Sequence, residues 1–367
     1  MIRITSIVGA RPNFMKVAPL HRAFIQMPDR IQSTVIHTGQ HFDQKMSQVF
    51  FDELELPVPD HFLGVGNGSH SEITARIMLG LEPILISSRP DLLIVVGDVT
   101  STLAAAMVAN RLRIPVAHVE AGLRSMDREM PEEINRLLTD QISDYLFITE
   151  QSAQRNLLLE NIPQEKIFFT GNCMIDSLAF YTERSSDPDL PARYGVRAGE
   201  YMLMTMHRPS NVDDREGLGK IIRILQRICN QRQVIFPMHP RTRNKLESLR
   251  LWDEIKAIDG LKLTEPLAYL EFINLMRWSA LLLTDSGGVQ EETTYLGIPC
   301  VTFRRTTERP VTVEIGSNIL MSDLDEEATV RTVNDILEGK IKRGSIPPLW
   351  DGKAAVRIRD IILQKFS

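Results

Sequence analysis

Thr284-Asp285-Ser286-Gly287-Gly288-Val289-Gln290-Glu291-Glu292 follows an apolar run at 280–283 and precedes a helical pattern that stops before Gly297. A short uninterrupted apolar run reads as a parallel strand buried on both faces, so this stretch is a strand-to-helix turn of an α/β fold. Such a turn offers unpaired backbone N–H groups and the positive end of a helix dipole to an anion, and paired glycines let a phosphate approach the backbone closely. A bare Gly-Gly is more often a tight turn and nothing else. Here the flanking Asp285 and Ser286 and the paired carboxylates shift the reading to a nucleotide-diphosphate clamp, with Glu292 one turn along the helix and within reach of a sugar hydroxyl.

The same grammar recurs along the chain. Residues 2–8 form a β-branched run that ends in Gly9-Ala10-Arg11-Pro12-Asn13, with Pro12 suited to a first helical turn and Arg11 and Lys16 suited to phosphate oxygens or to a solvated helix start. Residues 35–37 make a short strand leading into Thr38-Gly39-Gln40-His41, and Gly64-Val65-Gly66-Asn67-Gly68 follows no convincing strand and reads as a loop. The strand at 92–96 ends in Gly97-Asp98, and the strand at 116–119 ends in Glu120-Ala121-Gly122. In a doubly wound sheet the carboxyl ends of parallel strands share one edge, so Asp98 and Glu120 face the same ligand-binding crevice. Asp98, followed by Thr100 and Ser101, also fits a helix cap, whereas no helix start directly follows Glu120. Pro131-Glu132-Glu133 opens a helix, where acidic residues suit the dipole and Glu132 is spaced to pair with Arg136. The strand at 201–205 runs into Met206-His207-Arg208; His207 suits diphosphate binding and proton donation, or is half of a surface pair. A helix at about 215–231 follows.

At 367 residues with 43% hydrophobic content the chain suits two domains, and we place the boundary at Gly171-Asn172. A net charge of -5 gives no basic footprint for nucleic acid. The three cysteines, Cys173, Cys229 and Cys300, are far apart and show neither disulfide nor metal-ligand spacing, which fits a reducing, cytoplasmic compartment and no metal. No apolar run is long enough for a membrane span.

Taken in order, Gly9-Ala10-Arg11-Pro12, Thr38-Gly39-Gln40-His41, Gly97-Asp98, His118-Val119-Glu120-Ala121-Gly122-Leu123-Arg124, Pro131-Glu132-Glu133 with Asn135-Arg136, Thr170-Gly171-Asn172, His207-Arg208, the opening stretch, and Thr306-Thr307-Glu308-Arg309-Pro310 resemble the bacterial non-hydrolysing UDP-N-acetylglucosamine 2-epimerases. The resemblance implies the glycosyltransferase-B architecture: two Rossmann-like doubly wound domains, 1–172 and 173–352, with a cleft between them and a last helix at about 353–367 packing back on the first. It implies Asp98, Glu120, Glu132 and His207 as catalytic residues. Arg11, Lys16, Arg136, Ser286, Gly287, Gly288 and Glu292 become substrate ligands, and Gln40, His41 and His239 form a pocket for a second, regulatory substrate molecule. It further implies a cytoplasmic homodimer that needs no cofactor and supplies precursors of surface polysaccharides. The chain departs from the family's usual pattern at Ala10 and Asn13, at Asp43, and in a shorter segment between Arg124 and Pro131.

The chemistry implied is inversion at C2 of UDP-N-acetylglucosamine, giving UDP-N-acetylmannosamine. The C2 hydrogen adjoins no carbonyl and is barely acidic, so the C1–O bond must break first, with UDP leaving and a 2-acetamidoglucal forming when C2 loses its proton. A 2-epimerase of a diacetamido or uronic acid UDP-sugar, a hydrolysing epimerase that releases N-acetylmannosamine and UDP, a glycosyltransferase of the same fold and a non-catalytic nucleotide-sugar sensor are the alternatives. The sensor has least use for three carboxylates.

Overall fold

The computed structural model describes residues 1–40, 58–341 and 344–366, except for the Arg11 side chain. His41 lies outside the described residues. The chain divides into two compact units, Met1–Phe180 with Pro348–Ser367, and Tyr181–Pro347.

Among the described residues the first unit holds β1 (Ile2–Val8), β2 (Ile31–His37), β3 (His61–Phe62), β4 (Leu92–Val96), β5 (Val116–Val119), β6 (Tyr145–Ile148) and β7 (Ile167–Phe169). They form one sheet in the order β3-β2-β1-β4-β5-β6-β7, with parallel pairing throughout. β4, Leu-Leu-Ile-Val-Val, is buried at every position, as a strand must be when helices cover both faces of its sheet. The helix Thr100–Arg111 lies close on that sheet because it presents Ala104, Ala105, Ala106 and Ala109, all fully buried. β2 is longer than its apolar run at 35–37. It pairs with β1 from Ile2↔Ile31 to Val8↔His37, while β3 covers only Ile36 and His37. Among the described residues no strand pairs with the polar Gln32-Ser33-Thr34 on the side away from β1, a stretch that no hydrophobic pattern announces.

The helix Cys173–Arg184 begins in the first unit, and the division falls inside it after Phe180 rather than at Asn172. Its early turns are tied to the first sheet's partners. Ser177 Oγ donates to Met15 O (2.5 Å), and Asp176 accepts the amide hydrogens of Ala354 (3.0 Å) and Ala355 (2.7 Å). Asp176 thus caps the helix Ala354–Lys365, whose own N-cap residue, Lys353, makes no side-chain bond. Trp350, fully buried, donates from Nε1 to Thr149 O (3.0 Å) in the same region.

The second unit holds β8 (Tyr201–Thr205), β9 (Gln233–Pro237), β10 (Leu261–Thr264), β11 (Leu281–Thr284), β12 (Cys300–Thr302) and β13 (Asn318–Leu320). Their order is β10-β9-β8-β11-β12-β13, again all parallel. The helix Arg215–Ile228 buries Leu218, Ile221, Ile222, Leu225 and Ile228 on one face, and Asp214 caps it through Gly217 N (2.7 Å). It stops before 231 because Gln231 N turns back onto Ile228 O (3.0 Å). In each unit the order reverses beside the first strand, between β1 and β4 and between β8 and β11. In such sheets ligands bind off the carboxyl ends of those strands. No helix among the described residues is long and apolar enough to cross a membrane.

Burial pushes the Asp176 carboxyl up to about 6 from an ordinary 3.8, against the pull of the two amides it accepts. The folded chain therefore holds this proton more tightly than the unfolded one. The group's contribution is full at acid pH and is lost as pH rises through that window. Relative to Asp176→Asn, which caps without titrating, the wild-type unfolding free energy in urea should fall between about pH 4 and about pH 6 and level off above about 7. A difference that stays flat across the range contradicts this burial.

Candidate active site

At the β1–β4 edge, Asn13 does the joining. Its Oδ1 accepts from Gly9 N (3.1 Å) and Ala10 N (3.0 Å), and its Nδ2 donates to Val96 O (3.1 Å), so the turn after β1 is fixed to the end of β4. One turn along the helix Arg11–Ile25, Lys16 forms an ion pair with Glu120 in which both residues are buried. The Lys16 ammonium also lies 3.1 Å from where a Cβ on Gly97 would stand, and Gly97 has φ 66°. Lys16, the Gly97-Asp98 turn and Glu120 are thus gathered at one edge. Glu120 itself has φ 72°, a left-handed conformation that costs a non-glycine residue about 1 kcal/mol or more.

The strand end that carries Glu120 is braced from below. His118, fully buried in β5, bonds Asp140 through Nδ1 (2.6 Å) and Gly97 O through Nε2 (2.8 Å). A carbonyl only accepts, so Nε2 carries a hydrogen. Asp140 also accepts from Gly122 N (3.1 Å) and pairs with Arg124 (2.7 Å). Burial would raise the Asp140 carboxyl, but His118 and Arg124 outweigh it and hold the group below its ordinary value.

Asp98 does not cap the helix that follows it. The N-cap position is Val99, without a side-chain bond, and the cap comes from Gln40, whose Oε1 accepts from Ser101 N (3.2 Å) and Ser101 Oγ (2.8 Å). Asp98 instead pairs with Arg136 (2.5 Å), and its carbonyl accepts from Asn135 Nδ2 (2.8 Å). Arg136 takes Glu133 as its second partner (2.6 Å), not Glu132. Glu133 is buried because it also binds Ser125 N, Ser125 Oγ and Met126 N. Glu132, half-buried, makes no hydrogen bond or ion pair among the described residues. Arg11 opens its helix at this edge, with its side chain outside the described residues.

In the second unit the fully buried Asp285 organises the edge between β8 and β11. It accepts from His207 N (3.0 Å), Arg208 N (2.8 Å) and Asn211 Nδ2 (3.1 Å), and it pairs with His207 Nδ1 (3.1 Å). Burial would raise its carboxyl, and the His207 and Arg208 contacts together bring it below the ordinary value. With Nδ1 turned to that carboxylate, the partly exposed His207 ring presents Nε2 outward. His239 stands beside it, ring centroids 5.3 Å apart. Burial first, then His207, lowers the His239 pKa, and its Nδ1 accepts from Arg241 N (3.1 Å). His239 is thus set beside His207 in the second unit.

Ser286 is the N-cap residue of the helix Gly287–Leu296 and makes no side-chain cap bond, so the first amides of that helix are not satisfied by their own cap. The two glycines differ. A Cβ on Gly287 would stand 2.9 Å from Glu308 Oε1, whereas one on Gly288 would meet nothing within 4 Å. Behind Gly287 lies a buried network in which Arg304 pairs with Glu308 (2.9 Å), Glu308 with Arg309 (2.5 Å) and Arg309 with Glu291 (2.9 Å). Glu292 is buried, accepts from Tyr269 OH (3.0 Å), and has its carboxyl pushed up to about 8, chiefly by burial.

Gln40's capping and Glu133's hold on Ser125 join residues that no local pattern relates, whereas the Arg304–Glu308 pair had the i,i+4 spacing as its signal. His118 had a signal: it is a polar residue inside an otherwise apolar strand.

A family model described as UDP-N-acetylglucosamine 2-epimerase matches residues 24–363. The chain belongs to that family. This epimerase-family chain is 42% identical over 366 residues to the UDP-N-acetylglucosamine 2-epimerase of Methanocaldococcus jannaschii, covering 98% of this chain and 99% of that protein. The crystal structure of the M. jannaschii enzyme in complex with UDP-GlcNAc and UDP matches with a TM-score of 0.88 at 41% identity, covering 99% of this chain and 100% of that one. The UDP-2,3-diacetamido-2,3-dideoxy-D-glucuronate 2-epimerase of Pseudomonas aeruginosa is 42% identical over 324 residues, 87% of this chain and 88% of that protein. The expected α/β class, two doubly wound Rossmann-like domains of glycosyltransferase-B type, holds in this family member.

Removing one partner of a buried ion pair strands the other charge and typically costs about 3–5 kcal/mol. Lys16→Met should therefore lower Tm sharply, and the double change Lys16→Met with Glu120→Gln should recover most of the loss. Equal melting of the single and double variants would show that the two groups do not depend on each other.

Proposed function

We propose that this chain inverts C2 of UDP-N-acetylglucosamine by eliminating and re-adding UDP. The observation that carries the reading is 42% identity, across almost the whole chain, to an enzyme named for that reaction. The C1–O bond breaks with its electrons going to UDP, whose charge is met by the amides at the start of the helix Gly287–Leu296 and by His207. The sugar left behind is oxocarbenium-like, so a carboxylate can take the C2 proton, and the C–H electrons become the C1=C2 bond of the glycal. Return of a proton to the opposite face of C2 and of UDP to C1 completes the inversion. Asp98, Glu120 and Glu132 supply the acid and the base. Support for this comes from their local states: two are held by cations, Arg136 and Lys16, and the third is half-buried and unengaged. Arg11 and Lys16 line the sugar side in this reading, Arg136 orients Asp98, and Glu292 takes the ribose. The three cysteines are free and buried, which supports a reducing compartment.

The relative that acts on a diacetamido glucuronate, at the same 42% identity, favours a second reading with that substrate. Comparing kcat/KM for the two UDP-sugars decides between them.

Turnover in deuterium oxide should place one deuterium at C2 of the epimer, read by NMR. Epimer that keeps its protium defeats the elimination scheme. Gly288→Ala provides a clean probe of the diphosphate turn, because the added methyl meets no protein atom within 4 Å. Helix propensity, if anything, gains by up to about 1 kcal/mol. UDP binding should weaken at least about tenfold with no loss in Tm; unchanged affinity takes Gly288 out of the site.

A further inference from the structure

Arg304 is buried to 9% exposure, and its guanidinium is used on one side only. Nη2 pairs with Glu308 Oε2 (2.9 Å), whereas Nη1 is buried and has no hydrogen-bond partner among the described residues. Leaving a buried charged donor unsatisfied is costly, so such a group marks a place where an acceptor belongs. Nη1 stands 3.5 Å from the position a Cβ on Gly287 would take, which puts it at the first residue of a ten-residue helix, Gly287–Leu296, whose N-cap side chain makes no cap bond. The neighbouring Gly288 opens onto unfilled space. A charged donor and uncapped helix amides therefore converge beside two residues that carry no side chain.

We propose that Arg304 is a phosphate ligand, its Nη1 arm binding a diphosphate oxygen at the Gly287-Gly288 turn. The inference rests on the function proposed above and adds a residue to it. Glu308 gives the arm its aim. It pairs with Nη2 and is paired in turn with Arg309, which Glu291 also holds (2.9 Å), so the guanidinium is positioned before a ligand arrives and loses less freedom on binding. Both arginines of this network have a carboxylate partner, Glu308 for Arg304 and Glu291 for Arg309. What attracts a phosphate is thus the directed N–H of Arg304 together with the helix dipole. A lysine cannot do the same work, because it lacks the second, rigidly placed nitrogen that would pair with Glu308 while the first faces the turn.

The test compares UDP, UMP and uridine binding by calorimetry on the full chain and on Arg304→Lys, with Tm measured alongside. UDP affinity should fall at least about tenfold in the variant, while uridine binding is unchanged. A wild-type chain that binds UDP and a folded Arg304→Lys variant that binds it equally well overturn this assignment and leave the proposed function standing. A wild-type chain that fails to bind UDP overturns both. A crystal of the wild-type chain grown with UDP decides the matter without any variant: a phosphate oxygen within about 3.2 Å of Nη1 supports the assignment, and a water or protein atom in that place overturns it.

Discussion

A parallel sheet covered by helices on both faces has nowhere to put a charged side chain except at the ends of its strands. β4 and β11 are buried along their whole length, so polar chemistry is expelled to the carboxyl edges, and the reversal of strand order opens those edges beside β1 and β8. The position of Asp98, Glu120, His207 and Ser286 follows from this exclusion.

Crowding charges at an edge brings its own cost, and the chain meets it by dividing labour between adjacent residues. Asp285 is consumed in binding the loop after β8, which leaves His207 with an outward nitrogen. Glu133 is consumed by Ser125, Met126 and Arg136, which leaves Glu132 unengaged. Glu291 is held by Arg309 while Glu292 faces Tyr269. In the first two cases one member accepts buried backbone amides and so fixes the backbone, and the other is presented on that fixed backbone. Rigid support of this kind is what proton transfer and anion binding require.

This division explains what the sequence makes legible. Strands such as β4 announce themselves as unbroken apolar runs, and the glycines and carboxylates that follow them mark the edges, so the doubly wound class and the residues gathered at each edge are readable in advance. Helix starts are less transparent. Asp98 followed by Thr100 and Ser101 looks like a cap by spacing alone, yet the cap is Gln40, distant in sequence and brought near only by the pairing of β1 with β2 and β4. Glu132 and Arg136 have ideal spacing for a pair, yet Glu133 lies closer to the guanidinium once Ser125 and Met126 have turned it inward. Local rules rank the possible partners of a side chain, and tertiary packing then selects among them.

Gln40 ties the segment after β2 to the helix that starts beside Asp98 through a single side-chain oxygen. Withdrawing that oxygen would uncap the helix at a cost of about 1 kcal/mol. Any event that repositions Gln40 is therefore coupled to the Asp98 turn, and the loss of this cap corresponds to a shift of about fivefold in an equilibrium. A second tie runs beside it, since the Thr38 and Ser101 hydroxyls share a hydrogen bond (2.8 Å), and behind both the backbone of β2 is paired with β1 along its full length.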